Sequence, residues 1–149
     1  MADLSGVLVL NKPAGLTSHD CVAKVRQLTR VKKVGHTGTL DPEATGVLPI
    51  CIGKATKIVP YLINAQKTYR AKIRLGLATT TEDFTGEPID EVPVKKPIDK
   101  ETVLSVLNGF LGEIEQIPPL YSAVKVKGKK LYEWAREGVE EERPVRREV

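Results

Sequence analysis

Strict alternation is clearest over residues 67–75, where Tyr69, Ala71, Ile73 and Leu75 fall on one side and Arg70, Lys72 and Arg74 on the other. A period of two predicts a strand with one buried face. Two unbroken apolar runs, VLVL within 6–11 and VLPICI at 47–52, predict short buried strands, the first ended by the turn sequence KPAG. Val22, Val25 and Leu28 recur at roughly helical spacing and predict a helix over 19–29 with Ser18 as its cap. Further helices are predicted over 55–63, kinked or interrupted at Pro60, and through about Asn108 from a cap at Asp99. The latter has Val103, Val106, Leu107 and Phe110 on its apolar side. A short helix is predicted over 131–137, stopped by Gly138. Residues 35–46 are too rich in Gly, Thr and Pro for regular structure and predict a long ordered loop. Residues 76–97 are turn-rich and acidic, predicting a loop with short extended pieces; 120–127 alternate less regularly, and 143–149 read as the start of a strand.

Strands and helices intermix without regular βαβ alternation. This predicts an α+β fold with a mixed, largely antiparallel sheet flanked by helices. The 149 residues, 41% of them hydrophobic, suit one ordinary domain or part of one. An unfinished terminal strand would leave a partner edge exposed. Residues 1–149 are therefore expected to be the N-terminal part of a longer protein.

Charge changes the picture. Between residues 21 and 81 lie 11 of the 23 basic residues but only two of the 19 acidic ones, Asp41 and Glu43, so this stretch is net +9 and the rest −5. A basic surface suits a polyanion, because Lys and Arg neutralise phosphates and release counterions. The two cysteines, Cys21 and Cys51, have no metal-ligand spacing, which argues against zinc and for a reduced compartment. No apolar run approaches a membrane span and no signal-peptide pattern opens the chain, so a cytoplasmic protein is expected.

Asp41 lies in the loop GHTGTLDPEATG, residues 35–46. An aspartate before proline is most often a turn residue. A lone carboxylate in a basic stretch is also a candidate nucleophile or general base on a sugar or base. Gly35, Gly38 and Gly46 would let backbone approach a nucleotide, and His36 would bond a phosphate or base, or brace the loop. Tyr69 reads first as a core aromatic and second as a stacking platform for an extruded base. Lys12 and Pro13 end a strand, and Asp83 reads as a turn residue or an orienting group. Lys125, Lys127, Lys129 and Lys130 around Gly128 read as a solvated hairpin tip, then as phosphate contacts. Phosphate-cradling loops, dinucleotide-binding glycines, HExxH and a serine nucleophile elbow are absent from the sequence.

Taken together these segments are far more specific. VLVLNKPAGLTS, residues 7–18, resembles the first motif of pseudouridine synthases. GHTGTLDPEATGVL, residues 35–48, resembles their second motif in the form used by bacterial tRNA pseudouridine-55 synthases. KTYRA, residues 67–71, resembles the third motif, and PPLYSAVK, residues 118–125, a further segment. The matches run in order across nearly the whole chain.

The resemblance implies an enzyme that isomerises a T-loop uridine of tRNA to pseudouridine, without metal or organic cofactor. It implies Asp41 as the essential aspartate and Tyr69 as the aromatic against the target base, with a part in late proton removal. Lys12, His36, Gly38, Thr39, Asp83 and Lys125 become the candidate substrate-side residues, with Lys12 supporting the catalytic loop. The expected partner is the T-arm stem-loop of tRNA, met by a monomer. Members of the family continue past this length with the rest of the catalytic domain and a small C-terminal RNA-binding domain, expected to be absent from residues 1–149. A later segment there supplies an arginine for the catalytic aspartate, and Arg143, Arg146 and Arg147 do not match its context. The competing reading is a tRNA-binding module or folding aid that performs no chemistry.

Overall fold

The computed structural model describes residues 4–139, 143–144 and 146–148. The chain forms two compact units, Met1–Arg70 and Ala71–Val149.

The first unit is built on a three-stranded antiparallel sheet of β1 (Gly6–Lys12), β2 (Val34–His36) and β3 (Gly46–Ile52), in the order β1-β3-β2. β1 and β3 pair along their whole length, from Gly6 opposite Ile52 to Lys12 opposite Gly46. α1 (Ser18–Thr29) packs on one face of this sheet. Cys21, Val22 and Val25 from the helix meet Val34, Leu48, Ile50 and Ile52 from the strands, with Leu10, Leu16, Val31 and Leu40 packed around them. Each fully buried aliphatic side chain contributes roughly 1.5–3 kcal/mol, so this cluster is the main stabilising term of the unit. After β3 a 3₁₀ turn, Gly53–Ile58, leads into α2 (Val59–Leu62). The predicted 55–63 helix is thus split one residue before Pro60, which fits only in a first helical turn.

Four expectations are corrected in this unit. The 6–11 strand forms but is not buried: β1 is an edge strand of a sheet that α1 covers on one face, and Val7, Leu8 and Val9 are exposed. The cap of α1 is Thr17, not Ser18: the Thr17 hydroxyl accepts from the Asp20 amide and Asp20 returns to the Thr17 amide. Residues 34–36 join the sheet, so the predicted loop shortens to 37–45. Residues 67–75 form no strand, and the side expected to be buried is open, with Tyr69 68% and Ile73 73% exposed. Alternation makes a strand only when a ladder partner and a covering layer exist, and neither is found among the described residues.

In the second unit β4 (Leu77–Thr79) and β5 (Pro88–Glu91) pair antiparallel, as expected for short extended pieces in a turn-rich stretch. α3 (Lys100–Asn108) follows its Asp99 cap, whose carboxylate accepts from the Thr102 amide. β6 (Ile114–Gln116) pairs antiparallel with β9 (Arg146–Glu148); Val145 and Val149 of the expected final strand lie outside the described residues. The alternation over 120–127 yields a strand only at its end. There β7 (Lys125–Val126) turns back into β8 (Lys129–Lys130) and on into α4 (Leu131–Arg136). Lys127 and Gly128 both have positive φ, 51° and 84°, which a tight two-residue hairpin turn requires. Every pairing described is antiparallel, spread over four small sheets, and the class is α+β.

Candidate active site

The loop 37–45 spans β2 and β3, and Asp41 stands at its crest. Asp41 opens a tight turn: its carbonyl accepts from the Ala44 amide at 3.1 Å, with Pro42 at the second position where its fixed φ belongs. The turn reading of Asp41 is therefore right for its backbone. Its side chain is another matter. The residue is exposed, and among the described residues its carboxylate makes no hydrogen bond or ion pair. It is free to meet something else.

The peptides on either side of Asp41 are held tightly. Lys12 is completely buried, and its ammonium donates to the carbonyls of Pro13 at 2.9 Å, Leu16 at 2.6 Å and Pro42 at 2.8 Å. A buried ammonium is costly unless its three donors are met, and here all three are. The Gly15 amide reaches the same Pro42 carbonyl at 2.9 Å. On the other side, Ser18 is buried and its hydroxyl accepts from the Leu40 amide at 2.9 Å and faces the Leu40 carbonyl at 3.3 Å. The Leu40 side chain packs against the core. The end of β1 and the start of α1 thus hold the loop by two handles.

Other candidates lie in or beside this loop. Thr39 is exposed and Gly38 half-buried. Lys67 runs against Gly38, where an added Cβ would stand 3.6 Å from Lys67 Cε. The Lys67 ammonium meets the Ile63 and Ala65 carbonyls at 2.7 and 3.1 Å, closing the end of α2. This contact brings the segment carrying Tyr69 to the loop. The exposure of Tyr69 removes the core-aromatic reading and leaves its ring available. His36, on β2, is half-buried, and its Nδ1 is shielded from solvent with no hydrogen-bond partner among the described residues. Such an orphan is uncommon in a folded protein and calls for a partner. Lys12, by contrast, is too buried to reach a ligand in this conformation and acts on the loop itself.

Asp83 and Lys125 belong to the second unit. The Asp83 carboxylate organises its own turn, accepting from the Thr81 hydroxyl at 2.7 Å and from the Thr85 amide and hydroxyl at 2.8 and 2.6 Å. These bonds, Thr85 first and Thr81 next, hold its pKa below the ordinary value. Lys125 is exposed on the hairpin. Beside it Lys129 lies 4.3 Å from the Trp134 ring centre and pairs with Glu137, while the Trp134 indole donates to the Val126 carbonyl at 3.2 Å. Lys130 and Arg136 flank the Tyr132 ring at 5.3 and 5.2 Å. The predicted hairpin tip is thus a basic ribbon braced on aromatic rings.

The sequence reading missed Ser18 and Lys67 as parts of the site. For Ser18 a signal existed: Thr17 followed three residues later by Asp20 is a capping pair, which leaves the next hydroxyl spare. Lys67 carried no comparable signal. Cys21 and Cys51 are both free and buried, and burial pushes the Cys51 thiol up. Among the described residues no group of three or more His, Cys, Asp or Glu could hold a metal, and no helix is long and apolar enough to cross a membrane.

The family model described as TruB family pseudouridylate synthase, N terminal domain, matches residues 26–149. The tRNA pseudouridine synthase B of Bacillus subtilis (strain 168) is 64% identical over 143 residues, covering 96% of this chain and 46% of that protein. The protein of the same name from Geobacillus kaustophilus (strain HTA426) is 62% identical over 144 residues, covering 97% and 50%. The chain therefore spans about half the length of these relatives. A crystal structure of a Cbf5-Nop10-Gar1 complex is similar over 97% of this chain and 33% of the matched chain, at 28% identity and a TM-score of 0.55. The chain belongs to the TruB family of pseudouridylate synthases and carries that family's N-terminal domain.

Proposed function

We propose that this chain forms the aspartate-bearing part of an enzyme that converts a uridine of tRNA, in the T-loop at position 55, to pseudouridine. The observation that carries the reading is the exposed Asp41 carboxylate on a loop held from both sides, within the most basic part of the chain. In the proposed reaction the bond from C1′ to N1 of the base breaks, the uracil turns, and a bond from C1′ to C5 forms. N1 gains a proton and C5 loses one. Asp41 acts on the ribose as nucleophile or general base. Tyr69 lies against the base and takes part in removing the C5 proton. His36 helps to hold the extruded nucleotide, and Gly38 and Thr39 form the backbone surface it meets. Lys12 holds the loop. Asp83 and Lys125 are proposed contributors from the second unit.

A base stacked in a folded T-arm is out of reach, so it must be flipped out at a cost of about a few kcal/mol. The net +9 stretch offsets this through phosphate contacts. The protein is proposed to act as a monomer in the cytoplasm, on the T-arm stem-loop, without metal. Residues 1–149 are proposed to be the N-terminal part of the catalytic domain.

The test joins the 149 residues to the part of the Bacillus subtilis relative that lies beyond their match. It measures tritium release from a T-arm stem-loop labelled at uridine C5, because C5 loses its hydrogen only when the new carbon–carbon bond forms. Release at the rate of the intact relative is expected. Tight binding of the stem-loop without release would overturn the enzymatic reading in favour of a binding module.

A further inference from the structure

We propose that Ser18 is a positioning residue for the catalytic aspartate, acting through Leu40. Its kinetic arm rests on the function proposed above; its structural arm does not.

A serine at the start of a helix ordinarily spends its hydroxyl on capping. Ser18 does not, because Thr17 and Asp20 already close the first turn of α1 reciprocally. The hydroxyl of Ser18, a residue only 2% exposed, instead engages both polar groups of one loop residue, the amide and the carbonyl of Leu40. It stands in for the strand partner that this stretch of loop lacks. The two bonds fix the peptides on either side of Leu40, the second of which leads into Asp41, while Lys12 and Gly15 fix the peptide immediately after Pro42. The Leu40 side chain, packed on the core, is a third anchor. An exposed carboxylate on a nine-residue loop would otherwise sample many orientations, and small misplacements of a reacting group are expensive in rate. The adjacent residues Thr17 and Ser18 thus divide two tasks: the first starts the helix and the second aims the loop.

The experiment is residue-resolved amide hydrogen exchange on the 149-residue chain, followed by kinetics on the joined protein. Ser18→Ala is expected to speed exchange of the Leu40 amide by on the order of tenfold or more while Leu48 and Ile50 in β3 keep their rates. Ser18→Thr, which keeps the hydroxyl, is expected to retain protection. Thr17→Ala, which loosens the helix start but spares Ser18, is expected to leave Leu40 protected. In the joined protein Ser18→Ala is expected to lower kcat by on the order of tenfold with KM within about twofold. An unchanged Leu40 rate in Ser18→Ala, or a uniform rise across the core, would overturn the proposal. So would a loosened Leu40 with kcat unchanged. Absence of turnover in the unsubstituted joined protein would count against the proposed function instead, and the exchange result would still decide the role of Ser18.

Discussion

Lys12 and Asp41 form a contrasting pair of charges. One is wholly buried and saturated by three carbonyls, the other exposed and bonded to nothing described. The buried charge stabilises the loop that presents the exposed one. Lys12→Met keeps most of the volume but strips the Pro13 and Leu16 carbonyls of this donor and leaves the Pro42 carbonyl with the Gly15 amide alone. A loss of about 2–4 kcal/mol is expected from urea denaturation of the chain. A loss below about 0.5 kcal/mol would mean that the ammonium is not what holds the loop. Tyr69 behaves oppositely. Because its ring is exposed, Tyr69→Phe is expected to change stability by less than about 0.5 kcal/mol while reducing turnover of the joined protein more than its affinity for the stem-loop. A large drop in melting temperature with proportionate loss of both would restore the core-aromatic reading.

At the scale of elements, three carboxylates terminate or shape local structure. Asp20 at the start of α1, Asp99 before α3 and Asp83 in the β4–β5 turn all have lowered pKa values, each chiefly from hydrogen bonds to a nearby threonine. For Asp83 the sign is clear. A carboxylate held below its usual 3.8 contributes order that is complete above that value and is lost as pH falls through the lower folded value. The Thr85 amide resonance is therefore expected to titrate with a midpoint below 3.8, and to lose that transition in Asp83→Asn. A midpoint at or above 3.8 would show that the turn does not favour the charged form. The caps also mark what was legible from sequence. Asp99 and the α3 boundaries follow from one cap and one apolar period. Thr17 was passed over for Ser18 because both are good caps and only the Asp20 partner separates them.

For the whole molecule, legibility followed contact range. The 47–52 strand and the 19–29 helix were readable because one compact core takes Leu48, Ile50 and Ile52 from the first and Val22 and Val25 from the second, while the 6–11 strand was readable as a strand through its pairing with β3 but is not buried. The 67–75 alternation was equally strong and produced no strand, because pairing depends on a partner that periodicity does not reveal. The same holds for α3, whose periodicity is right but whose Val106, Leu107 and Phe110 remain exposed. Of the candidate site, the stretch around Asp41 was legible as a loop from its Gly, Thr and Pro content, and the charge contrast marked Asp41 as the candidate. The loop-holding role of Lys12 followed from the resemblance and Ser18 left a trace in the Thr17–Asp20 capping pair, whereas the Lys67 contacts, made to backbone carbonyls, have no sequence signature.

The most direct measurement is a paired one on the joined protein: tritium release and stem-loop affinity for the natural chain and for Asp41→Asn. The account predicts that release is abolished while Kd stays within about twofold, since one exposed carboxylate is neutralised and no phosphate contact is removed. Normal release by Asp41→Asn would contradict it.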